Sequence, residues 1–215
     1  MIVMLKAVIF DLDGLLVDST PLQWEANKIF LQKHGKQFAV PQNREGMRII
    51  DILLEMKDLY DLAGDIEDLY MDRQQIYFDI VRKELELFPG ALELLENLKK
   101  RGIKIALATS GDRNYISVLF EKFPQLNDYF SVIVSSEDVK IGKPNPEVFL
   151  TTAKKLNAAA QECVVLEDSV NGILAAKAAH MEVICIPNLN YPEADYFQAD
   201  AVFANLHEAA QAIPV

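Results

Sequence analysis

An apolar run that stops on two carboxylates constrains this chain more than any other stretch: Ala7-Val8-Ile9-Phe10-Asp11-Leu12-Asp13-Gly14. Four consecutive hydrophobic residues predict a strand buried on both faces, and such strands belong to parallel sheets covered by helices. Asp11 and Asp13 then stand at its carboxyl end, the edge of an open α/β sheet where ligands bind. Gly14 suits a tight exit and the close approach of a ligand. The acid-x-acid spacing alone decides little, because it recurs at Asp65-Ile66-Glu67, Glu84-Leu85-Glu86 and Glu193-Ala194-Asp195, which read as solvated helix or loop positions. Position at the end of a buried strand separates Asp11 and Asp13 from these.

Beyond that strand the pattern turns helical. Thr20 is a good N-cap, Pro21 suits the first helical position and Gln23 completes a capping box, so a helix is predicted to about His34, closed by Gly35. Ile49, Ile50, Leu53, Leu54 and Met56 keep helical spacing, and Ile66, Leu69, Tyr70, Arg73, Ile76, Tyr77, Ile80 and Val81 trace one further helical stripe. From 16–86 no strand is predicted. After Phe88-Pro89-Gly90 helices and strands alternate, with strands at 103–108, 132–134, 164–166, 183–186 and 201–203 and helices at 91–101, 115–123, 147–156 and 173–179. That alternation predicts a doubly wound parallel sheet, Rossmann-like in class. The domains expected are an α/β core of 1–15 and 87–215 interrupted by a helical cap of 16–86, hinged at 14–18 and 86–90.

The 215 residues and 51% hydrophobic content allow one generous core plus a small insert. A net charge of −11 argues against a nucleic-acid partner, since phosphate backbones repel such a surface. No run approaches the roughly 20 apolar residues of a membrane span, and the opening Met1-Ile2-Val3-Met4-Leu5-Lys6 lacks the parts of a signal peptide. Cys163 and Cys185 lie by or in apolar strands without metal-ligand spacing, so they read as reduced and buried, which favours the cytoplasm.

Several strands end on polar clusters: Asp11 and Asp13, then Thr109 and Ser110, then Glu167-Asp168-Ser169, with Lys143 in the turn Gly142-Lys143-Pro144-Asn145-Pro146-Glu147. Each has a bland reading alone. Lys143 can be a surface lysine, Thr109 and Ser110 can cap a helix, and Glu167 and Asp168 can favour a helix N-terminus. Together, at neighbouring strand ends, they suit phosphoryl transfer. Asp11 and Asp168 make a hard oxygen site for Mg²⁺. Asp11 can attack phosphorus to give an aspartyl-phosphate, and Asp13 can protonate the leaving alcohol and later accept a proton from water. Thr109 and Lys143 would hold the nonbridging oxygens.

Asp11-Leu12-Asp13-Gly14, Thr109, Lys143 within Gly-Lys-Pro-Asn-Pro-Glu, and Glu167-Asp168-Ser169-Val170-Asn171-Gly172 resemble the four motifs of the haloacid dehalogenase-like (HAD) hydrolases. The resemblance spans essentially the whole chain. It implies Asp11 as nucleophile, Asp13 as acid/base that also offers its backbone carbonyl to Mg²⁺, Thr109 and Lys143 as phosphate holders, Asp168 as a metal ligand, and Glu167 as an additional ligand or a support for the ligands. Haloacid dehalogenases themselves look to lack the second aspartate. The chain is similar to the β-phosphoglucomutase-like branch and within it looks closest to 2-deoxyglucose-6-phosphate and hexitol-phosphate phosphatases. The mutases of that branch carry a cap histidine where Gln23 stands, place their cap arginine three residues after a glycine where Arg48 follows Gly46 by two, and carry a serine–lysine pair where Gly111 and Asp112 stand. These departures favour hydrolysis over phosphomutase chemistry. The expected function is thus a Mg²⁺-dependent phosphatase acting, as a monomer, on a small phosphorylated metabolite, with a sugar phosphate favoured. Ser110, Gln23, Trp24, Asn27 and Arg48 are the candidate substrate contacts, though Gln23 reads equally as a capping residue, Trp24 as cap core and Arg48 as a solvated helix position.

Overall fold

The computed structural model describes residues 4–39, 44–191 and 194–213. Met1–Val3 of the opening segment and Glu193 of the third acid-x-acid triplet lie outside the described residues. Six parallel strands form one sheet in the order β3-β2-β1-β4-β5-β6, made of β1 (Ala7–Phe10), β2 (Lys104–Ala108), β3 (Val132–Val134), β4 (Cys163–Glu167), β5 (Glu182–Cys185) and β6 (Ala201–Val202). β1 is central. It pairs with β2 on one side and β4 on the other, so Phe10 stands level with both Leu107 and Leu166.

The pleat divides each strand between two apolar layers. Val8, Phe10, Ile105, Leu107, Val164 and Leu166 face one layer, where helices α4 (Ala91–Lys100), α5 (Arg113–Lys122) and α8 (Leu206–Ala212) pack. Ala7, Ile9, Ala106, Ala108, Cys163 and Val165 face the other, closed by α6 (Glu147–Leu156) and α7 (Val170–Ala178). Helix cover on both faces is why β1, β2 and β4 read as continuous hydrophobic runs. Cys163 and Cys185 are free and buried.

Between β1 and α4 the chain forms α1 (Thr20–Lys33), α2 (Ile49–Tyr60) and α3 (Ile66–Glu84), without a strand among the described residues. These helices have their own apolar centre of Phe30, Leu31, Leu53, Met56, Leu62 and Leu69. The near ends of α1 and α3 also join the first layer of the sheet, through Ala26, Tyr77 and Val81. Entry and exit segments run side by side: Asp18 N donates to Glu86 O at 3.0 Å and Phe88 N to Leu16 O at 2.9 Å. Among the described residues no helix is long and apolar enough to cross a membrane.

One local expectation is corrected. Thr20 is not the N-cap of α1 but its first residue, after a helical Ser19 with no side-chain capping bond. The Thr20 hydroxyl instead accepts from Asn188 Nδ2 at 3.0 Å, and Gln23 turns its amide to Arg73. Long-range partners therefore displace the capping box.

Candidate active site

Parallel pairing brings the carboxyl ends of β1, β2 and β4 together. Asp11 N donates to Leu166 O at 3.0 Å, which holds Asp11 beside Glu167 as the strands end. From the turn before α6, Lys143 reaches between them: its Nζ lies 2.5 Å from Asp11 Oδ1, 2.5 Å from Glu167 Oε1 and 3.5 Å from Ala108 O. All three side chains are buried. A lysine that reads from sequence as a turn residue is thus fixed by two carboxylates.

Asp11, Glu167 and Asp168 bring carboxylate oxygens within 4.8 Å of one another. Burial raises the Asp11 carboxyl to about 8, with the charges of Glu167 and Asp13 adding and Lys143 opposing. Burial likewise pushes Asp168 well above its ordinary value, helped by the charges of Glu167 and Asp11. The Lys143 ammonium, which burial alone would lower, is held above its usual range by Asp11 and Glu167. Acids pushed up and a lysine pushed up are two readings of one excess of buried negative charge. Three carboxylates against one ammonium is a hard-oxygen donor set that suits a divalent cation.

The two acids of the fourth motif differ in how committed they are. Glu167 Oε1 accepts from Lys143, while Oε2 accepts from Asp168 N, Ser169 N and Ser169 Oγ at 2.8–2.9 Å. Such saturation makes it a support for its neighbours. Asp168 accepts one bond on Oδ2, from Asn188 Nδ2 at 2.7 Å, and so keeps capacity for a cation. Two glycines permit this packing: a Cβ on Gly14 would run into Asp168 Oδ2 and Asn188, and one on Gly172 would overlap the Glu167 carboxylate. Gly14 also holds φ +84°, where side chains are strained.

Asp13 and Asp168 line a cavity of about 90 Å³ beside Asp11, roofed by α1 and α3. Asp13 Oδ1 accepts from Tyr115 OH at 2.7 Å, and burial raises its carboxyl above the ordinary 3.8 despite that bond. Thr109 is buried and, among the described residues, is absent from the cavity lining, its Oγ1 accepting from Gly111 N at 2.9 Å. Ser110, Gln23, Trp24 and Asn27 all line the cavity. Ser110 already spends its hydroxyl on Gly46 O, at 2.6 Å.

Arg48 is placed differently from the sequence expectation. It is absent from the cavity wall. Its guanidinium pairs with both oxygens of Asp51 at 2.7 and 2.8 Å, and Nη1 donates to Lys140 O at 3.1 Å. The early carboxylate on the same helix captures the fork, as an i,i+3 pair does. Residues the sequence reading passed over take up the wall instead: Tyr70, Gln74 and Asp112 close it, with Tyr70 OH and Gln74 Nε2 both donating to Asp112 Oδ2, the latter at 3.0 Å.

A family model, described as a haloacid dehalogenase-like hydrolase, matches residues 5–180. This chain belongs to that family. It is 35% identical over 189 residues to a phosphorylated carbohydrates phosphatase of Thermotoga maritima, covering 84% of each chain. It is 31% identical over 222 residues to hexitol phosphatase B of Escherichia coli K12, covering 94% of this chain and 93% of the other. Among solved structures, a β-phosphoglucomutase of Clostridium difficile superposes with a TM-score of 0.82 at 25% identity, covering 95% of this chain and 93% of the other. The HAD assignment, the β-phosphoglucomutase-like branch and the status of a phosphatase-type hydrolase agree with the sequence expectations.

Proposed function

We propose that this HAD hydrolase is a Mg²⁺-dependent phosphatase that cleaves a small sugar or polyol phosphate through an aspartyl-phosphate on Asp11. The observation that carries the reading is the buried Asp11–Lys143 pair set beside Asp168, at the base of a cavity that Asp13 lines. Phosphatases of phosphorylated carbohydrates and hexitols among the relatives support the substrate class.

Asp11 is the nucleophile in this account. One of its oxygens bonds to phosphorus as the bond from phosphorus to the ester oxygen breaks. Asp13, whose carboxyl burial raises above its ordinary value, gives its proton to the departing alkoxide. Water then attacks phosphorus, Asp13 takes the proton back, and inorganic phosphate leaves with the Asp11 carboxylate restored. Lys143 spreads its charge over Asp11 and the incoming phosphoryl oxygens, with Thr109 beside it. Asp11, Asp168 and the backbone carbonyl of Asp13 would hold Mg²⁺, which offsets carboxylate–phosphate repulsion when bound. The unit of residues 16–86 would act as the cap, hinging at the paired segments 14–18 and 86–90.

Hydrolysis is favoured over phosphomutase chemistry because, among the described residues, the one cation lining the cavity, Arg44, is already paired with Glu55. Arg48 is committed to Asp51, and Asp112 stands after the second motif. A phosphate-release assay over a panel of hexose, hexitol and triose phosphates, with and without Mg²⁺, tests this. Metal-dependent release is expected. Isomerisation of a hexose phosphate with little phosphate released would instead make the enzyme a mutase.

A further inference from the structure

Arg73 is among the largest fully buried side chains of the molecule, 1% exposed, and lies in the middle of α3. Among the described residues no carboxylate pairs with it. Its guanidinium donates instead to neutral groups: Nε to Asn27 Oδ1 at 2.9 Å, Nη1 to Gln74 Oε1 at 2.8 Å, and Nη2 to Gln23 Oε1 and, at 3.3 Å, to Gln23 O. Its carbon Cζ sits 5.0 Å from the centre of the Tyr77 ring. A buried guanidinium spread over three amides is costly to build unless the amides themselves matter.

Chemistry fixes which way those amides face. Arginine carries donors only, so each amide must offer it the carbonyl oxygen and point its NH₂ elsewhere. For Gln74 that NH₂ donates to Asp112 Oδ2 at 3.0 Å, across to the element that follows β2. For Gln23 and Asn27 the NH₂ groups have no acceptor among the described residues, and both residues line the cavity above Asp13. The wall they form therefore presents N–H donors.

The rest of the cavity sets the charge of what those donors can meet. Among the described residues Asp11, Asp13, Glu45, Asp112 and Asp168 line it, against one lining cation, Arg44, which pairs with Glu55 at 2.6 Å. Once Lys143 and a metal have taken the reacting phosphate, a second phosphate or carboxylate on the substrate would face acids with no free cation.

Resting on the phosphatase reading above, we propose that Arg73 is the positioning residue of a substrate-recognition wall. It orients Gln23 and Asn27 to donate to the hydroxyl oxygens of a neutral, polyhydroxylated leaving group, so the enzyme takes monophosphates of polyols or sugars and rejects their bisphosphates.

The test compares three probes: sorbitol 6-phosphate, fructose 1,6-bisphosphate, and acetyl phosphate, whose leaving group has no hydroxyls to reach the wall. For the unmodified enzyme, kcat/KM for sorbitol 6-phosphate is expected to exceed that for the bisphosphate by at least about tenfold. Arg73→Met should lower kcat/KM for sorbitol 6-phosphate about 10- to 100-fold, chiefly through KM, and leave acetyl phosphate hydrolysis within about threefold. If that variant does not fold, Gln23→Leu and Asn27→Leu, which leave Arg73 in place, carry the same expectation. Equal losses on both probes would reduce Arg73 to a structural role, and a preference for the bisphosphate would overturn the neutral leaving group. Asp11→Asn separates the two readings. It should bind sorbitol 6-phosphate by calorimetry without turnover, and Arg73→Met added to it should weaken that binding about tenfold or more, whether or not the phosphatase reading survives. Unchanged affinity in the double variant overturns the wall.

Discussion

At the scale of single residues, the site is a problem of buried like charge. Asp11 and Glu167 share the Lys143 ammonium with Asp168 close by, and burial beside like charges raises the Asp11 and Asp168 carboxyls. Asp11→Asn removes one charge from that cluster while keeping its shape. It is expected to lower turnover by at least about 10³-fold and to hold or raise Tm in the absence of metal, checked by steady-state kinetics and a thermal melt. Asn188, which donates to Asp168 Oδ2 and to Thr20 Oγ1, fixes the orientation of the free carboxylate. Asn188→Ala should weaken Mg²⁺ activation about tenfold, read from the metal dependence of activity. The acids and Lys143 were legible in the sequence because each closes a strand or opens a turn at a recognisable place. Asn188, Tyr115 and Asp112 were not, because they act through partners more than ten residues away or in another element, and nothing local marks them. Arg73 did leave a signal, a lone charge on an apolar helical stripe, whose meaning depended on the amides it meets.

At the scale of elements, apolar runs closed by Gly or polar turns located β1 to β6 within about a residue, and the alternation with helices gave their parallel direction. Helix α8 was missed, since Leu206–Ala212 is short and buries only Leu206 and Ala209. The turn after β3 shows how side chains lock such elements in place. Asp138 Oδ2 accepts from Ser135 N and Oγ, and Oδ1 accepts from Lys155 on α6 at 2.9 Å and from Arg113 on α5 at 3.3 Å. Partial burial raises the carboxyl, but the bonds from Lys155 and Ser135 outweigh it and hold Asp138 well below its ordinary 3.8. A depressed folded-state value means the contribution to stability is complete above the unfolded value and is lost as pH falls through the folded one. Asp138→Asn should therefore lower stability near pH 7 and flatten its loss below about pH 4, so that the two proteins converge in acid, measured by urea melts across pH.

At the scale of the whole molecule, the helical insert sits closed on the sheet. Tyr70 and Gln74 reach Asp112, Ser110 reaches Gly46, Asn171 Nδ2 donates to Glu45 O at 2.9 Å, and Trp24 meets Tyr191 edge-on at 5.7 Å. These contacts cross between the insert and the loops of the sheet around the cavity. Tyr70→Phe removes one contact of the closed form and should raise KM several-fold with a smaller effect on kcat, checked by steady-state kinetics on the preferred phosphate ester. The existence of a helical insert after β1 was legible from the change of hydrophobic period, whereas the contacts that hold it against the core were not, because they join side chains to distant side chains and loop carbonyls that carry no pattern of their own.

The account stands on Asp11 carrying the phosphoryl group. A substrate labelled on phosphorus, mixed with excess enzyme and Mg²⁺ and quenched in acid within milliseconds, measures that directly. Label is expected on the peptide containing Asp11, absent from Asp11→Asn, and lost on longer incubation as inorganic phosphate appears. Turnover with no label on the protein, or label that persists in Asp11→Asn, would contradict it.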